Sequence, residues 1–486
     1  MLFFYWVNIL YVFIIINVNR ERVFLFDSEY QTSFLEYIMT NSSSSFKKSR
    51  CFFAMLTFMV LVACGGQNEV AGLVSDSDNG LSDDVEDESP AVDDTLDDDI
   101  PSDEGLNETF EVGKPTALSK KVFIHYLPWF GEGEQGRHWA DGVITEPLIG
   151  YYDSQSWATH LYHILLSSAV GIDGAIINVR TEYDQLSFDK FVATIDRIDE
   201  IYPDFVYDVS ISYDDQDTTV NSSTADFTYL KESIIPNTSH YLYKDEKPVV
   251  FIWNYDGFLS AQEYRDIANT VFTDNPPVLI KNEIDVSSAA GEFVMNSFYP
   301  WVQGWAEDGS MWGEEYINWF YNTQLAFKED NKIEFVVGAV WPGFDDRNVI
   351  WGQNRWIDRE GGDLYNTLWA LINNTYVTDV DWVILETWND FNEGSELEPT
   401  VGSDSYQFMT LTANHIEVYK ETPTLIDDKQ WMFDAAIKIY EAAKLIENSD
   451  RDYDTYYPKL QESIELYLKT NGQKSYNVAE EIIIGS

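Results

Sequence analysis

Residues 382–400 read WVILETWNDFNEGSELEPT, and the interpretation of the rest of the chain depends on them. The first four residues are apolar, which is typical of a strand buried on both faces of a sheet. The residues that follow mix aromatic, amide and carboxylate side chains up to Gly394 and Pro399. Unpaired carboxylates avoid protein interiors because their desolvation is costly. Packing alone does not explain this composition, and we interpret Asp390 and Glu393 as a catalytic pair.

Short β-rich runs alternate with helix-length segments from Lys121 onward. The predicted strands are residues 122–126, 174–179, 206–212, 249–253, 278–281, 293–298, 335–340 and 382–387. The predicted helices are residues 156–169, 188–201, 229–241, 261–272, 314–328, 364–373 and 408–419. The interval between the fifth and sixth strands has room for a turn at most. Such alternation predicts a parallel sheet, and eight units of this kind close into a (β/α)8 TIM barrel, an α/β fold.

The barrel domain is predicted to span residues 119–425. Two amphipathic stretches, residues 430–446 and 456–468, predict two additional C-terminal helices within residues 426–486, followed by a tail. At 486 residues the chain is long enough for one large domain or two ordinary ones.

The composition narrows the partner classes. Aromatic residues make up 15% of the chain, with 16 Trp and 30 Tyr. This suits a cleft that stacks on sugar rings, and it also suits a large aromatic core. The formal net charge of -53 repels phosphate backbones and argues against nucleic acid and highly anionic substrates. The same charge also fits adaptation to a salty medium or simple solubility.

Cysteine and histidine usage indicates no metal and no cofactor. The only cysteines are Cys51 and Cys64, so the body of the chain has no disulfide, thiolate metal site or cysteine nucleophile. Six histidines form no His-rich cluster, and only His160 and His163 share a predicted helical face.

The N-terminal region reads as a leader and a tether. Residues 1–38 are interpreted as an over-extended start, with a two-span anchor as the alternative. Residues 39–63 have a basic segment and a short apolar run, typical of a signal peptide. The following Cys64 lies in LVACG, which resembles the lipobox of bacterial lipoproteins, and this resemblance implies lipidation of Cys64. Residues 64–118 are predicted to be an acidic, disordered linker, which places the domain on the outer membrane of a bacterial envelope, facing outward.

The strand ends carry the candidate binding residues. In a barrel of this type the C-terminal ends of the strands converge on one site. Nearly every predicted strand ends in an aromatic residue beside a hydrogen-bonding group, as a polyhydroxylated ligand requires. The candidate substrate-binding residues are Tyr126, Trp129, His138, Trp139, Asn178, Arg180, Tyr213, Asp214, Trp253, Tyr299, Trp301, Trp341, Asp345, Arg347, Trp388 and Glu396.

The chemistry that two neighbouring carboxylates serve in such a cleft is glycoside hydrolysis. One carboxyl group, kept protonated by its surroundings, donates to the leaving oxygen, and the other acts as base or nucleophile. A cap on a following turn is the structural alternative for Asn389 or Asp390.

The motifs resemble those of glycoside hydrolase family 99, and family 71 shares part of the pattern. They are YLPWF from Tyr126, HW from His138, GIDG from Gly171, WPGFDD from Trp341 and WNDFNEGSELEP from Trp388. The resemblance implies a (β/α)8 barrel that acts on α-linked glycans without a metal. It further implies that Glu393 is the acid/base and that Asp390 deprotonates the sugar 2-hydroxyl.

Two departures from the family 99 pattern leave alternatives open. Asp390 is one methylene shorter than the family's glutamate, and family 71, associated with inversion, has Trp-Asn-Asp at this place. Asn178 and Arg180 follow the second strand, where the retaining mannan enzymes have an aromatic residue. Arg180 is expected either to bind an acidic or sulfated substituent or to pair with Asp184.

The sequence therefore predicts an endo-acting glycoside hydrolase that cleaves α-linked polysaccharide, α-mannan first and α-glucan next. The alternative is a non-catalytic, glycan-binding surface lipoprotein on the same barrel. The sequence does not specify retention or inversion, or the oligomeric state.

Overall fold

The computed structural model describes residues 120–203, 205–215, 218–253, 259–287, 294–304, 313–422 and 429–485. All of them belong to the second of two compact units, residues 103–486. The predicted start, signal peptide and linker, with the lipidation site Cys64, lie outside these ranges. Within the ranges, no helix combines the length and the apolar character that crossing a bilayer requires.

Eight parallel strands form the predicted barrel. They are β1 (Lys121–Tyr126), β2 (Gly174–Val179), β3 (Asp208–Asp214), β4 (Lys247–Trp253), β5 (Val278–Asn282), β6 (Ser297–Tyr299), β7 (Val337–Val340) and β8 (Trp382–Leu385). Hydrogen bonding gives the order β6-β5-β4-β3-β2-β1-β8-β7. A two-residue strand, Tyr243–Lys244, pairs with β4, and Phe344–Asp345 pairs with Trp356–Ile357.

The barrel closes between β6 and β7 through contacts just outside the ladder. The Ser297 hydroxyl donates to the Phe335 carbonyl at 2.7 Å. The Glu334 N–H donates to the Asn296 carbonyl at 2.8 Å. These bonds satisfy polar groups at the two strand edges, which would otherwise be costly to bury.

Ten α-helices occur in the described part of the chain. They are α1 (Trp157–Ala169), α2 (Glu182–Ile201), α3 (Val220–Tyr229), α4 (Ala261–Val271), α5 (Glu314–Glu329), α6 (Asp363–Leu371), α7 (Gln407–Lys420), α8 (Lys429–Glu447), α9 (Tyr453–Leu468) and α10 (Gly472–Ile484). Side-chain caps at Ser156, Thr181 and Ser260 explain why α1, α2 and α4 begin where they do. The described residues between β5 and β6 contain no helix, as expected.

The third helix begins earlier than the sequence predicted. It was expected at residues 229–241, but α3 begins after Thr219, whose side chain forms a capping box with Ser222. A π-helical turn, Leu230–Ile234, continues it, and the chain reaches a short 3-10 turn at Pro236. Tyr241, expected to be helical, instead bridges Val209 beside β3.

Three helices rather than two follow the barrel, because the predicted tail forms α10. Ala479 and Ile482 of α10 are fully buried. Gly472, at its start, lies so close to the backbone of Trp431 and Met432 that a Cβ would stand 2.8 Å from the Trp431 carbonyl carbon. The glycine therefore permits α10 to pack against α8.

Glu447, at the end of α8, caps the first helix of the barrel. Its carboxylate accepts from the Ser156 hydroxyl at 2.6 Å and from the Trp157 N–H at 2.9 Å. On α9, Tyr467 donates to the Leu165 carbonyl of α1 at 3.2 Å. The C-terminal helices are therefore joined to the barrel through α1.

We expect Glu447→Ala to lower the free energy of unfolding by about 1–2 kcal/mol, because it removes the acceptor from two donors at the start of α1. Thermal unfolding of the full chain measures this. Glu441→Ala is the control: its carboxylate pairs with Lys438 at the surface, where such pairs contribute little. Equal melting temperatures for the two variants would contradict the capping role.

Candidate active site

Successive strand side chains point alternately toward the helices and toward the barrel interior. Tyr126 of β1 has its hydroxyl 3.0 Å from Nδ1 of His163 on α1, and Tyr213 of β3 donates to a carboxylate on α3 at 2.5 Å. Both tyrosines face helices, so their neighbours His125 and Asp214 face the interior. By the register of the ladder, the strand ends contribute these inward side chains: His125, Asn178, Asp214, Trp253, Asn282, Tyr299, Trp341 and Glu386.

The post-β8 segment (residues 386–400) is attached to the chain that follows β1. The Asn389 amide donates to the Leu127 carbonyl at 2.9 Å, and its side-chain carbonyl accepts from the Leu127 N–H at 2.8 Å. The Asn392 amide donates to the carbonyls of His138 and Gly142 at 2.8 and 2.9 Å. These two asparagines fix the path of the segment across the mouth of the barrel.

Glu398 and Glu396, near the end of the post-β8 segment, are held in buried contacts. Glu398 accepts from the Tyr152 hydroxyl at 2.7 Å and lies 3.1 Å from Nε2 of His163. Glu396 Oε1 accepts from the Arg359 guanidinium at 2.5 Å and from a threonine hydroxyl at 2.8 Å. Buried carboxylates persist when they are paired in this way, so both carboxylates stabilise the segment.

Glu386, at the start of the segment, forms a buried pair with His125 inside the barrel. Its Oε2 lies 2.9 Å from His125 Nδ1. Burial raises the pKa of Glu386, and the nearby His125 opposes that rise. Glu386 Oε1 and His125 Nε2 have no hydrogen-bond partner among the described residues. The His125 ring packs edge-on against Trp301, with centroids 5.1 Å apart, and Trp301 packs likewise against Trp253.

Asp390 and Glu393 occupy one tight turn. Asp390 Oδ1 accepts from the Glu393 N–H at 2.9 Å, and the Asp390 N–H donates to the Thr387 hydroxyl at 2.8 Å. Asp390 is only 3% exposed, whereas Glu393 is half-buried. The Trp351 indole N–H lies 3.4 Å from Glu393 Oε1. Glu393 is thus the member of the pair that is more accessible to a ligand.

Both members of the pair hold protons more tightly than free carboxyl groups do. Burial, and next the adjacent Glu393 carboxylate, raise the pKa of Asp390 well above its ordinary value. Burial also raises the pKa of Glu393, opposed by the Trp351 indole and by the charge of Arg355. Raised carboxyl pKa values of this kind are the requirement for acid catalysis near neutral pH.

Aromatic rings form a wall beside Glu393. The rings of Trp129 and His138 lie 5.0 Å apart, and His138 and Trp351 lie 6.0 Å apart edge-on. Burial, followed by the charge of Arg137, lowers the pKa of His138. The lowered pKa favours the neutral imidazole, which suits a wall that contacts an uncharged ligand.

The structure brings eight of the predicted binding residues to the interior or to this wall. Trp129 and His138 belong to the wall. The others are the inward-facing or adjacent side chains Asn178, Asp214, Trp253, Tyr299, Trp301 and Trp341. The Asn178 amide donates to the Asp214 carboxylate at 3.3 Å, so the polar side chains at the ends of β2 and β3 are hydrogen-bonded to each other.

Four predicted binding residues are packed away from the barrel interior. Tyr126 and Tyr213 face helices, as described above. Trp139 stacks on Phe130 at 3.8 Å and donates to the Tyr152 carbonyl. Trp388 is fully buried, with its ring centroid 5.6 Å from that of His163 on α1. These contacts give the four aromatics a packing role, which corrects their assignment to substrate contact.

The remaining predicted residues lie elsewhere. Asp345 and Arg347 pair with each other and line, together with Glu396 and Gly394, a hollow beside the 393–394 turn. Arg180 is exposed, and among the described residues its guanidinium forms no ion pair with Asp184, which was one of the two alternatives for it. Asp184 Oδ2 accepts the backbone N–H groups of Arg180 and Thr181, and Arg137 lies 3.7 Å from Oδ1.

Sequence reasoning missed several residues of the site. Glu386 directly follows the apolar run of β8 at a position with the same parity as Ile384, and this parity was the available signal. His125 precedes Tyr126 and takes the inward place that the tyrosine was given. Trp351 lies in an irregular loop, where no periodic pattern could indicate its contact with Glu393.

The raised pKa of Asp390 predicts a pH-dependent effect of Asp390→Asn on stability. Between its ordinary pKa of 3.8 and its raised folded-state value, the folded protein holds a proton that the unfolded chain has released. The wild type therefore loses stability as the pH rises through this window, by about 1.4 kcal/mol per unit of raised pKa. The substituted amide does not titrate and avoids that loss, and its side-chain oxygen can still accept the Glu393 N–H.

We expect the stability of Asp390→Asn, relative to wild type, to increase between about pH 4 and pH 8, in thermal unfolding at both values. Asp274→Asn, in the exposed segment after α4, is the control and should show no such change. A relative stability that stays constant or falls with pH would contradict the burial-driven pKa.

Comparisons with known proteins bear on the fold. No protein-family profile matches the sequence, and no curated protein matches it. Two solved structures of the glycoside hydrolase family 99 endo-α-mannosidase from Bacteroides thetaiotaomicron are similar to it. The one in complex with bis-tris propane gives a TM-score of 0.52 at 16% identity and covers 63% of this chain and 99% of that chain. The other gives 0.51 at 15% identity, with coverage of 62% and 97%. At these identities the similarity shows that the chain has the barrel fold of those enzymes.

Proposed function

We propose that this protein is an endo-acting glycoside hydrolase that cleaves α-linked polysaccharide with Glu393 and Asp390. One observation carries the proposal. Of the five carboxylates in the post-β8 segment, Glu386, Glu396 and Glu398 are held by histidine, arginine or tyrosine partners, and the remaining two share one turn in which Glu393 is the more exposed. Burial raises the pKa of both remaining carboxyl groups, as it also does for Glu386 and Glu396.

Glu393 acts as the proton donor in this proposal. Its side chain is the exposed member of the pair, and burial raises its pKa toward neutral pH. The carboxyl proton passes to the glycosidic oxygen as the bond from that oxygen to the anomeric carbon breaks. The resulting carboxylate can then recover a proton from the incoming hydroxyl group or water.

Asp390 acts as the base. Once ionised, it accepts a proton either from the sugar 2-hydroxyl, which then attacks the anomeric carbon, or from a water that attacks instead. In the first course an incoming water then breaks the bond between the 2-oxygen and the anomeric carbon, its proton passes to Glu393, and Asp390 returns a proton to the 2-oxygen, which gives net retention. In the second course the single displacement by water gives inversion. Its Oδ1 already accepts the Glu393 N–H, so Oδ2 is the oxygen assigned to the proton transfer.

The interior of the barrel supplies groups suited to the hydroxyls of a sugar ring. His125 Nε2, Glu386 Oε1, Asn282 Oδ1 and Trp253 Nε1 are buried and have no hydrogen-bond partner within the described ranges. Unpaired buried donors and acceptors are costly, and sugar hydroxyls can satisfy both kinds. Trp301 and Trp253 add apolar faces beside them.

α-Mannan is the favoured polysaccharide and α-glucan the next. Support for mannan comes from the barrel similarity to endo-α-mannosidases and from the family 99 resemblance of the post-β8 segment. We further propose that Cys64 is lipidated and holds the enzyme on the outer face of a bacterial envelope. A glycan-binding lipoprotein without catalysis would use the same aromatic wall but would not release reducing ends.

We expect Glu393→Gln to lower kcat for α-mannan by about 10²–10⁴-fold, because the amide cannot donate the proton that the leaving oxygen needs. Release of reducing ends by purified full-length protein measures this, with α-1,3-glucan in parallel. Glu417→Gln, a half-buried carboxylate on α7, is the matched control and should leave kcat unchanged. Undiminished hydrolysis by Glu393→Gln would refute the assignment.

A further inference from the structure

A hollow of about 260 Å³ adjoins the 393–394 turn, with Gly394 in its lining. Its lining includes Ile144, Thr145, Phe344, Trp356, Arg359 and Glu396. The hollow lies close to Glu393. Its lining includes Gly394, the next residue in the chain, and Asp345, whose N–H donates to the Glu393 carbonyl at 2.6 Å. A Cβ on Gly394 would stand 2.9 Å from the Asp345 side chain, so the two segments are in close contact.

Glu396 offers an unused acceptor in this hollow. The side chain is fully buried, and its Oε1 accepts from Arg359 and from the Thr145 hydroxyl. Its Oε2 is buried without a hydrogen-bond partner in the described part of the chain. A buried acceptor of this kind is costly when unpaired, and a hydroxyl donor of a ligand in the hollow would satisfy it.

Trp356 provides an apolar platform at the rim. It is 50% exposed, although large aromatic residues are usually buried in cores. Its backbone pairs with Asp345, and the Arg347 guanidinium lies 4.9 Å from its ring centroid. Both contacts fix the ring orientation, and Ile144, 39% exposed, adds a second apolar side chain to the hollow.

The charges of the hollow favour a neutral ligand. Arg347 donates to both oxygens of Asp345, at 2.8 and 2.5 Å, and Arg359 is bonded to Glu396. Both arginines are therefore neutralised by neighbouring carboxylates, and Asp358 adds a further negative charge to the lining. An anionic group would have to displace one of these carboxylates, whereas a polyhydroxylated ligand would not.

One loop connects the hollow to the catalytic pair. Asp346 closes the loop by accepting from the backbone N–H of Arg355 at 2.6 Å and of Gln353 at 3.1 Å. Within this loop, Trp351 contacts Glu393. Trp356, the first residue after the loop, lines the hollow. The same short segment thus presents two exposed tryptophans, Trp351 in contact with Glu393 and Trp356 in the lining of the hollow.

We propose that this hollow is a second saccharide subsite, which binds a neutral sugar unit of the same glycan that is cleaved at Glu393. The sugar ring stacks on Trp356, and one of its hydroxyls donates to Glu396 Oε2. The inference rests on the proposed function for the identity of the glycan. It adds that the protein binds a further sugar unit beyond the one held in the barrel. Such a subsite would make the enzyme bind long glycan chains more tightly than short ones.

Equilibrium binding tests the subsite separately from catalysis. Full-length protein with Glu393→Gln is titrated calorimetrically with α-linked manno-oligosaccharides, and in parallel gluco-oligosaccharides, from disaccharide to hexasaccharide. Affinity should rise with length. Adding Trp356→Ala should weaken hexasaccharide binding by about three- to tenfold, the value of one aromatic contact, and should remove most of the length dependence.

Two further variants test whether the loss of affinity is specific to the aromatic ring of Trp356. Trp356→Phe retains a ring and should restore most of the affinity. Tyr453→Ala on α9 removes an aromatic of similar exposure, 51%, and should change nothing. Unaltered hexasaccharide affinity in Trp356→Ala would overturn the subsite, as would absence of binding by every oligosaccharide.

The proposed function fails on a different result. If the wild type releases no reducing ends but Trp356→Ala still weakens oligosaccharide binding, hydrolysis is refuted and the subsite stands. If the wild type hydrolyses α-mannan and Trp356→Ala binds hexasaccharide normally, the subsite is refuted and hydrolysis stands.

Discussion

The desolvation of carboxylates after β8 is the constraint on which the rest of the structure depends. Five acidic side chains lie within thirteen residues, 386–398, and four of them are almost completely excluded from solvent. Burying an ionised carboxylate is costly unless a partner compensates. The chain supplies such partners to Glu386, Glu396 and Glu398, through His125, Arg359 and Tyr152. Asp390 and Glu393 receive neutral hydrogen bonds instead. Burial raises the pKa of both, as it does for Glu386 and Glu396, and Asp390 alone of these four is raised well above its ordinary value.

The partners come from distant parts of the chain. Leu127, Thr145 and Tyr152 follow β1, and Arg359 follows β7, yet all contact the post-β8 segment. Because β1 and β8 are neighbours in the barrel, the loops after them meet at one edge of the mouth. The barrel thus positions the 390–393 turn by joining its first strand to its last.

The local sequence pattern predicted the barrel because the positions of strands and helices depend mainly on neighbouring residues. Alternating β-rich and helix-length runs indicated the eight strands, and the bounds of β2 matched. The third helix was misplaced because the Thr219 and Ser222 cap was not weighed against the apolar pattern of residues 229–241. The inward assignment of Tyr126 and Tyr213 failed for another reason. A strand buried on both faces carries apolar residues at every position, and its sequence does not show which parity faces the interior.

The sequence predicted a carboxylate-rich site after β8, but it did not predict which residue each carboxylate contacts. The density of acids after β8 indicated a catalytic turn, yet nothing local distinguishes Glu398, whose tyrosine partner lies 246 residues away, from Glu393. Trp351 and the hollow at Trp356 depend on an irregular loop, for which residue type carries little geometric information. Long-range contacts, available only from the fold, separate the carboxylates held by histidine, arginine or tyrosine from the two that we propose as catalytic.

The most direct test of the account is the titration of the two carboxyl groups themselves. Carbon-13 NMR of side-chain-labelled protein, with Asp390→Asn and Glu393→Gln to assign the signals, gives their titration midpoints. The account predicts midpoints above the ordinary values of 3.8 for Asp390 and 4.5 for Glu393, and a lower Asp390 midpoint once Glu393 is replaced. Midpoints at or below those ordinary values, with no response of Asp390 to the loss of Glu393, would contradict it.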